Sequence, residues 1–454
     1  MKIEYDMAKP RVERAPAFDM DALDFNRIGP YLSQFGITDA KGRYLHWDKL
    51  KWRVPRDQAA DIWQAIKLQR SFQQKTIPLK DAAGRDFHYC ITPAMEAKLH
   101  QVVRTAGGNV GAVAGEAASD GIQEHFLVSA LLMEEAITSA QLEGAATTRE
   151  VAKKMLEEER EPADEDERMI LNNYLLLKEA ERVRNEPLTV DQVLDFHRIA
   201  TRSTTGNAVV PGELRLDDDI YVDDGDGGIA HQPPPFHVLP ERLQALCDFA
   251  NGDHTGMAGS TFIAPVVKAI ILHFMIGYEH PFRDGNGRTA RALFYWYMLK
   301  CDYRLFRYVS ISRLLKDDPG GYGLSYLYSE TDDNDLTYFI DFQLDIILRA
   351  FDDLRRYLET KSNDFQQIVH LLENTPFGNL LSFVQKDLIK KAAREPGRIF
   401  TAREVAKSYD ITDNTARTHL NQLVDLKLLL ATKDGRKVLY IAPADLQRRL
   451  GRKK

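Results

Sequence analysis

The chain has 454 residues, of which 44% are hydrophobic and 28% are charged, and its formal net charge is −7 at pH 7. That length predicts two or three domains with apolar cores, and the composition is typical of a globular protein. The negative balance excludes a general attraction to nucleic acid or to anionic membranes, although a locally basic domain can still bind either one.

The three cysteines, Cys90, Cys247 and Cys301, are far apart and form no CxxC pair. We therefore expect neither a disulfide framework nor a zinc site, and interpret them as reduced, buried thiols. The N-terminus lacks the apolar segment of a secretory signal, and no run of about eighteen apolar residues could span a membrane. These features predict a cytoplasmic protein with no membrane partner.

The N-terminal region, residues 1–114, is mixed in character and predicts no function. Aromatic and basic residues alternate in RYLHWDKLKWR (43–53), which favours a half-buried strand or helix face over a contact with nucleic acid. The small residues of TAGGNVGAVAGEAASDG are typical of a linker, so we place a domain boundary near residue 114.

Residues 115–355 are predicted to form a mainly α domain. It opens with a helix at about 124–144, whose apolar residues recur at spacings of three and four and for which Gly144 is a natural stop. Further on, Tyr221 and Val222 predict a short strand and residues 229–232 its return strand, with Asp-Gly steps between them. We expect a β-hairpin within an otherwise helical region.

The stretch HPFRDGNGRTAR, residues 280–291, concentrates a histidine, an aspartate, two glycines and three arginines. A helix with a wide apolar face precedes it, and Pro281 ends that helix at Glu279 or His280. A second helix is predicted to start near Arg288. The turn therefore lies at a helix N-terminus, where unpaired amides and the helix dipole attract anions.

The turn has the groups that bind phosphate. Gly285 and Gly287 let the backbone approach an anion closely. Arg288 and Arg291 are three residues apart on one helix face, and each can bind two phosphate oxygens. The GxxxxGK[ST] spacing is absent, so the turn is not a P-loop.

Two further residues of the turn predict chemistry as well as binding. Asp284 is placed to hold Mg²⁺, which needs few protein ligands beside phosphate and water. His280 can accept a proton at neutral pH, since its ordinary pKa is about 6.5. A base positioned against a hydroxyl contributes roughly 10²–10⁴ in rate. The arrangement predicts nucleotidyl or phosphoryl transfer.

Two other histidines are predicted to be structural. His273 lies two helical turns before His280 on the buried helix, and His197 lies in the amphipathic stretch DFHRIAT. Both are expected to be hydrogen-bonded core residues.

At residues 280–291 the chain resembles the Fic family, whose signature is HxFx(D/E)GNGRxxR, and it matches every fixed position. The resemblance covers about residues 115–350. It implies a compact helical bundle with a β-hairpin, the flap, and the transfer of AMP from ATP to a hydroxyl on a target protein.

The resemblance also implies a role for each residue of the site. His280 would deprotonate a Ser, Thr or Tyr hydroxyl, and Asp284 would bind Mg²⁺. The anion hole would be formed by Gly285, Asn286 and Gly287, while Arg288 and Arg291 would hold the β- and γ-phosphates. In the flap, Gly228, Ile229, Ala230 and His231 would align the target chain by strand-type pairing. Whether the His231 side chain touches the substrate or is structural is left as two open alternatives. Tyr322 is a candidate adenine contact.

A second motif, SAQLEG, resembles the inhibitory (S/T)xxxE(G/N) helix of many Fic proteins and gives Ser139, Glu143 and Gly144. Glu143 would pair with Arg291 and take the place of the γ-phosphate. Keeping 99% of sites closed needs about 2.7 kcal/mol, whereas an exposed ion pair gives only about 0–1 kcal/mol. We infer a partly buried pair that is helped by the packing of its helix. The alternative is that Glu143 is an ordinary solvent-facing acid.

The last part of the chain, residues 356–454, is predicted to contain a winged helix, with a support helix at 402–408, a reader helix at 413–425 and a hairpin at Asp434-Gly435. Base edges or phosphates could be reached by Arg417, Thr418 and Asn421, and the wing carries Lys433, Arg436 and Lys437. Winged helices also dock proteins or form dimers, so DNA and a second copy of the chain are both candidate partners.

Three alternatives to AMP transfer remain open. One is a hydrolase that removes AMP, with Glu143 orienting water. Another is a Fic enzyme that uses a different donor, such as UTP or a phospho-alcohol. The third, of a different class, is a nucleotide-sensing transcription regulator that binds DNA through the winged helix.

Overall fold

A computed structural model of the chain describes residues 12–107, 121–158, 160–223, 229–257, 259–374, 378–394, 397–434, 437–443 and 445–451. These residues are mainly helical, which confirms the predicted fold class. In their sequence order, the helices that precede the flap are α1 Phe25–Leu32, α2 Trp47–Leu50, α3 Ala59–Ser71, α4 Pro93–Ala106, α5 Gly121–Leu142, α6 Arg149–Glu157, α7 Glu165–Arg182 and α8 Val190–Thr201.

The remaining helices follow the flap. They are α9 Leu239–Asn251, α10 Pro265–Glu279, α11 Asn286–Lys300, α12 Ile311–Asp317, α13 Pro319–Thr331, α14 Thr337–Asn374, α15 Phe383–Arg394, α16 Ala402–Tyr409, α17 Asp413–Asp425 and α18 Leu446–Gly451. Short 3-10 turns lie at Gly206–Ala208, Phe236–Val238, Arg304–Tyr308 and Gly378–Leu380. In the described part of the chain, every helix is too short or too polar to cross a membrane.

The strands among the described residues form three small antiparallel sheets. β1 (Lys75–Lys80) pairs with β2 (Asp86–Tyr89), and β3 (Val222–Asp223) pairs with β4 (Ile229–His231). The third sheet has the order β5-β7-β6, from Ile399–Phe400, Lys437–Ile441 and Leu430–Asp434. The β3–β4 hairpin confirms the predicted hairpin to within a residue at each strand.

Residue contacts divide the chain into two compact units. The first contains Met1–Asn109 and Ala130–Phe351, and the second contains Val110–Ser129 and Asp352–Lys454. The N-terminal region thus belongs to the same unit as the turn. One reason is a buried ion pair, in which Lys67 Nζ on α3 lies 2.7 Å from Asp332 Oδ1, just after α13. The boundary predicted near residue 114 lies outside the described residues.

Helices α10 and α11 form the centre of the first unit and pack against each other. Nearly every residue of both is buried, as the apolar face of α10 predicts. α10 ends at Glu279, as expected. α11 begins at Asn286 rather than near Arg288, because Gly285 adopts a φ of 79° and turns the chain directly into the helix.

In the second unit, α16 and α17 match the two predicted helices closely, and the three-stranded sheet follows them. The long helix α14 crosses the boundary predicted at residue 355, because it continues without a break to Asn374. Gly435 and Arg436 of the predicted wing lie outside the described residues. The winged-helix assignment stays a prediction.

Candidate functional site

The turn between α10 and α11 is held by its own side chains. Asn286 Oδ1 accepts a hydrogen bond from the Phe282 amide at 3.0 Å, and Asn286 Nδ2 donates to the Phe282 carbonyl at 2.8 Å. The side chain of Asn286 therefore braces the turn, and its backbone amide, the first of α11, has no intrahelical acceptor and can face an anion. The resemblance placed Asn286 in the anion hole without distinguishing these two parts.

His197 supports the turn from α8. Its Nδ1 accepts from the Gly212 amide at 3.0 Å, so Nε2 carries the hydrogen and donates to the Asp284 carbonyl at 3.1 Å. The ring stacks on Phe282 with 3.7 Å between centroids. Burial lowers the pKa of His197 to about 4, which keeps the ring neutral. The prediction that His197 is structural is confirmed, and its task is to fix the turn.

The same contact explains one glycine of the turn. A Cβ on Gly285 would lie 2.7 Å from Thr201 Cγ2 and 3.3 Å from His197 Cδ2. A side chain here would push α8 away from the turn, and the positive φ of Gly285 disfavours one in any case.

The N-terminus of α11 forms an anion cradle, which we define as the amides of Asn286 and Gly287 with the guanidinium groups of Arg288 and Arg291. The first amides of a helix have no intrahelical acceptor. Arg288 is buried and donates to the Ala200 carbonyl at 2.8 Å. Its Nε is buried without a hydrogen-bond partner among the described residues. The cradle thus has more donors than the protein satisfies.

The Glu143 carboxylate lies in this cradle. Its Oε1 is 2.8 Å from Arg291 Nη2, and a Cβ on Gly287 would be only 2.2 Å from the same oxygen. Burial alone would raise the pKa of Glu143, but the charges of Arg291 and Arg288 outweigh it and hold that pKa below its usual value. The ion pair that SAQLEG predicts is present, and the carboxylate reaches the glycine backbone as well.

Ser139 contributes to the same pairing. Arg291 Nε donates to Ser139 Oγ at 2.9 Å, and Arg291 Nη2 donates to the Ser139 carbonyl at 3.2 Å. The Arg291 side chain is only 2% exposed and that of Glu143 is 22% exposed. The pair is therefore partly buried, as the free-energy argument requires.

A further acid on α5, Glu135, was missed by sequence reasoning. It is buried and accepts hydrogen bonds from Ser310 Oγ at 2.7 Å and from the Ser312 amide at 3.1 Å. Thr138 Oγ1 lies 3.0 Å from Ser310 Oγ. These bonds attach α5 to the start of α12. The available signal was spacing, because Glu135 lies four residues before Ser139 and shares its helix face.

His280 caps α10 in the left-handed conformation, with φ 43° and ψ 56°. Its Nδ1 is 3.3 Å from the Gly277 carbonyl, an acceptor, so we place the hydrogen on Nδ1 and the free lone pair on Nε2. Burial and then the charge of His231 lower the pKa of His280 to about 4. His280 is therefore neutral at pH 7, in the state that can accept a proton.

The flap residues are only partly described. Ile229 is exposed and Ala230 is half-buried, while Gly228 lies outside the described residues. The ring of His231 is buried, with Nδ1 2.6 Å from Glu330 Oε2 and Nε2 2.7 Å from the Tyr278 carbonyl. Both nitrogens of His231 are engaged inside the protein, so its backbone is the part left for a target chain.

Tyr322 lies at the start of α13, with its hydroxyl 2.9 Å from His273 Nε2. Its ring packs edge-on against Tyr326, with 5.4 Å between centroids. His273 is fully buried, and burial lowers its pKa to about 3, which confirms it as a hydrogen-bonded core residue. The adenine contact of Tyr322 stays a prediction.

Asp284 is the candidate magnesium ligand. Its Oδ2 accepts from Arg288 Nη2 at 3.0 Å. Among the residues that the structure describes, no three His, Cys, Asp or Glu side chains come together in a group that could hold a metal ion. A single carboxylate beside an anion cradle fits a Mg²⁺ that arrives with a nucleotide and takes most of its oxygen ligands from phosphate and water.

Known proteins share this part of the chain. Residues 187–298 match the Fic/DOC family. The chain is 33% identical over 135 residues to protein adenylyltransferase fic-1 of Caenorhabditis elegans, which covers 29% of this chain and 22% of that protein. It is 30% identical over 124 residues to protein adenylyltransferase Fic of Drosophila willistoni, covering 27% and 22%. The chain thus spans about a fifth of the length of these curated relatives.

Two solved structures are similar to a large part of the chain. A Fic family protein from Desulfovibrio desulfuricans has a TM-score of 0.47 and 17% identity, covering 78% of this chain and 97% of that one. Fic-1 from Caenorhabditis elegans has a TM-score of 0.46 and 17% identity, covering 70% and 81%. The family match at residues 187–298 contains the entire turn from His280 to Arg291, so the chain contains a Fic/DOC family domain.

Proposed function

We propose that this chain transfers AMP from ATP to a Ser, Thr or Tyr hydroxyl of a target protein. The observation that carries the proposal is the Glu143 carboxylate in the anion cradle, 2.8 Å from Arg291. It marks a place where the protein binds negative charge, on the turn that begins with a neutral histidine. The relatives named protein adenylyltransferase support this reaction class.

The reaction would use the residues of the turn in order. His280 Nε2 accepts the hydroxyl proton as the hydroxyl oxygen attacks the α-phosphorus. A new oxygen–phosphorus bond to AMP forms, the bond from the α-phosphorus to the bridging oxygen breaks, and pyrophosphate leaves. The cradle amides, with Arg288 and Arg291, hold the β- and γ-phosphates and stabilise the charge on the leaving group.

Asp284 would hold Mg²⁺. When bound, the ion neutralises phosphate charge and orients the triphosphate. Asp284 is itself held by Arg288 through its side chain and by His197 through its carbonyl, so its carboxylate enters the site from a fixed backbone.

We further propose that Glu143 inhibits the enzyme. Its carboxylate uses the Arg291 donors that a γ-phosphate needs, so ATP is excluded or bound in a pose unsuited to in-line attack. A hydrogen bond to a charged group contributes about 1.5–3 kcal/mol. One such bond, with the bonds of Ser139 and Glu135 that hold the helix, suffices for the roughly 2.7 kcal/mol that 99% closure needs.

The experiment compares wild-type protein with Glu143→Gly, each incubated with α-labelled ATP, Mg²⁺ and a cell extract as the source of hydroxyl acceptors. We expect weak protein labelling by the wild type and labelling up to about 100-fold stronger by the variant, since about 1% of wild-type sites are open at 2.7 kcal/mol. Equal labelling by the two proteins would rule out inhibition by Glu143. No labelling by either would reject AMP transfer itself.

The reverse reaction is a second candidate, because Glu143 and His280 interact electrostatically across the site and could share a water molecule. Protein that has been labelled by Glu143→Gly separates the two functions. Release of labelled AMP by the wild type, but not by Glu143→Gly, would identify a hydrolase that uses Glu143.

A further inference from the structure

The flap is joined to the carboxyl end of α10 by two buried basic side chains. Arg215, which precedes β3, is 1% exposed, and His231 on β4 is 8% exposed. Arg215 Nε donates to the His280 carbonyl at 3.0 Å, and His231 Nε2 donates to the Tyr278 carbonyl at 2.7 Å. Both acceptors belong to the last residues of a helix, whose carbonyls have no intrahelical donor.

Arg215 also joins the two sides of the flap to each other. Its Nη1 donates to the Asp217 carbonyl at 2.8 Å and to Asp218 Oδ1 at 2.7 Å, on the β3 side. Its Nη2 donates to the Pro234 carbonyl on the β4 side. One buried guanidinium therefore bonds to both sides of the hairpin and to the residue that carries the base.

His231 brings a charge as well as a hydrogen bond. The Tyr278 carbonyl can only accept, so Nε2 must carry a hydrogen, and Nδ1 faces the Glu330 carboxylate at 2.6 Å. Burial acts against a charged ring, but the Glu330 carboxylate outweighs it and raises the pKa of His231. A ring with a hydrogen on each nitrogen, one donated to the Tyr278 carbonyl and one to the Glu330 carboxylate, is the charged form that this geometry favours.

We propose that Arg215, His231 and Glu330 form a flap clamp, whose members are positioning residues for AMP transfer. They hold the flap and His280 in a fixed relative position, so that a strand paired to the flap presents its hydroxyl to His280 Nε2. This inference rests on the proposed function. The left-handed backbone of His280 costs about 1 kcal/mol or more, and the clamp bonds to the carbonyls of His280 and Tyr278 help to hold it in that conformation.

The clamp also sets the electrical environment of His280. The charged and titratable groups around the two rings are Glu330 from α13, Tyr278 and Glu279 from α10, Glu143 just after α5, and Arg215. After burial, the charge of His231 is the largest influence that lowers the pKa of His280. Removing the charge of His231 is therefore expected to raise the pKa of His280. Loss of a merely structural contact would leave that pKa unchanged.

The test uses His231→Gln and Glu330→Gln in the Glu143→Gly background, with His237→Gln as a matched control at an exposed histidine just after the flap. Labelling from α-labelled ATP is measured between pH 3.5 and pH 8, a range that includes the His280 pKa of about 4, and binding of an unreactive ATP analogue is measured separately. For His231→Gln we expect analogue binding within twofold of the Glu143→Gly parent and labelling about 10- to 100-fold slower than that of the parent. The acid limb of the pH–rate profile, where the rate falls with falling pH, should move to higher pH. Glu330→Gln leaves the His231 ring in place but removes the carboxylate that favours its charged form. It should move the acid limb in the same direction, with a smaller loss of labelling rate than His231→Gln.

The clamp is overturned if both variants label at the control rate with an unmoved acid limb, or if analogue binding falls as far as labelling does. A Glu143→Gly parent that does not label would reject the proposed function instead, and the two failures are therefore distinct.

Discussion

The two units of the chain bury different kinds of side chain. In the first unit Arg215, Arg288 and Arg291 are each 1% exposed, and Glu135 is 2% exposed. Among the described residues of the second unit, the buried core is apolar and Gln385 is the buried polar side chain. An unpaired buried charge costs several kcal/mol. Buried charges that each have partners around one turn therefore indicate positions that matter for chemistry, while an apolar core indicates stability.

This contrast predicts how substitutions separate. In the first unit, a change that keeps size but removes charge should alter activity more than stability. In the second unit, the loss of buried apolar volume should alter stability more than activity. The predictions below run from the largest expected effect on labelling to the smallest.

The largest effect is expected at the base. In the Glu143→Gly background, His280→Ala should lower the labelling rate by roughly 10²–10⁴, because the hydroxyl loses its proton acceptor. Analogue binding should change little, since the phosphates are held by the cradle. Undiminished labelling by His280→Ala would remove His280 from the role of base.

A smaller effect is expected at Glu135, which acts at a distance from the phosphates. In otherwise wild-type protein, Glu135→Gln should raise labelling about tenfold, because a loss of about 1.4 kcal/mol in the attachment of α5 is a factor of ten. Glu134→Gln is the matched control, since Glu134 is the neighbouring acid and bonds to Arg149 near the surface. In the Glu143→Gly background, Glu135→Gln should leave the labelling rate unchanged. A tenfold increase in that background too would show that Glu135 does not act through Glu143.

The pH dependence follows from the lowered pKa of His280. The proton-accepting form is present above a pKa of about 4 and is lost as the pH falls through it. His280 therefore stays in its proton-accepting form from pH 6 to pH 7.5, and the labelling rate of Glu143→Gly should be constant over that range. Removing Glu143 also removes a negative charge that raises this pKa, so the limb should not move upward. An acid limb near the ordinary histidine pKa of about 6.5 would contradict the buried, neutral base.

The smallest effect on labelling is expected from the second unit. Leu420→Ala removes a fully buried side chain of its core and should lower the free energy of unfolding by about 2–5 kcal/mol. Below the unfolding transition, labelling by Glu143→Gly should stay within twofold of its parent. A loss of labelling comparable to that of His280→Ala would show that the second unit takes part in the reaction.

The sequence predicted the turn well because its determinants are local. Pro281 ends one helix, and Arg288 and Arg291 lie three residues apart on one face of the next. The start of that helix was predicted near Arg288, two residues after its observed start at Asn286. The pair between Glu143 and Arg291 spans 148 residues and came from the second motif rather than from periodicity.

The residues that hold the turn were not predictable in the same way. His197 and the Asp284 carbonyl are 87 residues apart, Arg215 and the His280 carbonyl are 65 apart, and Glu135 and Ser312 are 177 apart. Each contact is made by tertiary packing of helices, and no local pattern distinguishes a buried acid or arginine with a partner from an exposed one.

The central claim is that the cradle at Gly287 and Arg291 binds the end of a triphosphate and that Glu143 takes its place. A crystal structure of Glu143→Gly with Mg²⁺ and an ATP analogue that cannot be cleaved at the α-phosphate tests it most directly. The account predicts the γ-phosphate within hydrogen-bond distance of Arg291, at the position of the missing carboxylate, with the α-phosphorus facing His280 Nε2. A nucleotide bound elsewhere, with the cradle left empty in this variant, would contradict it.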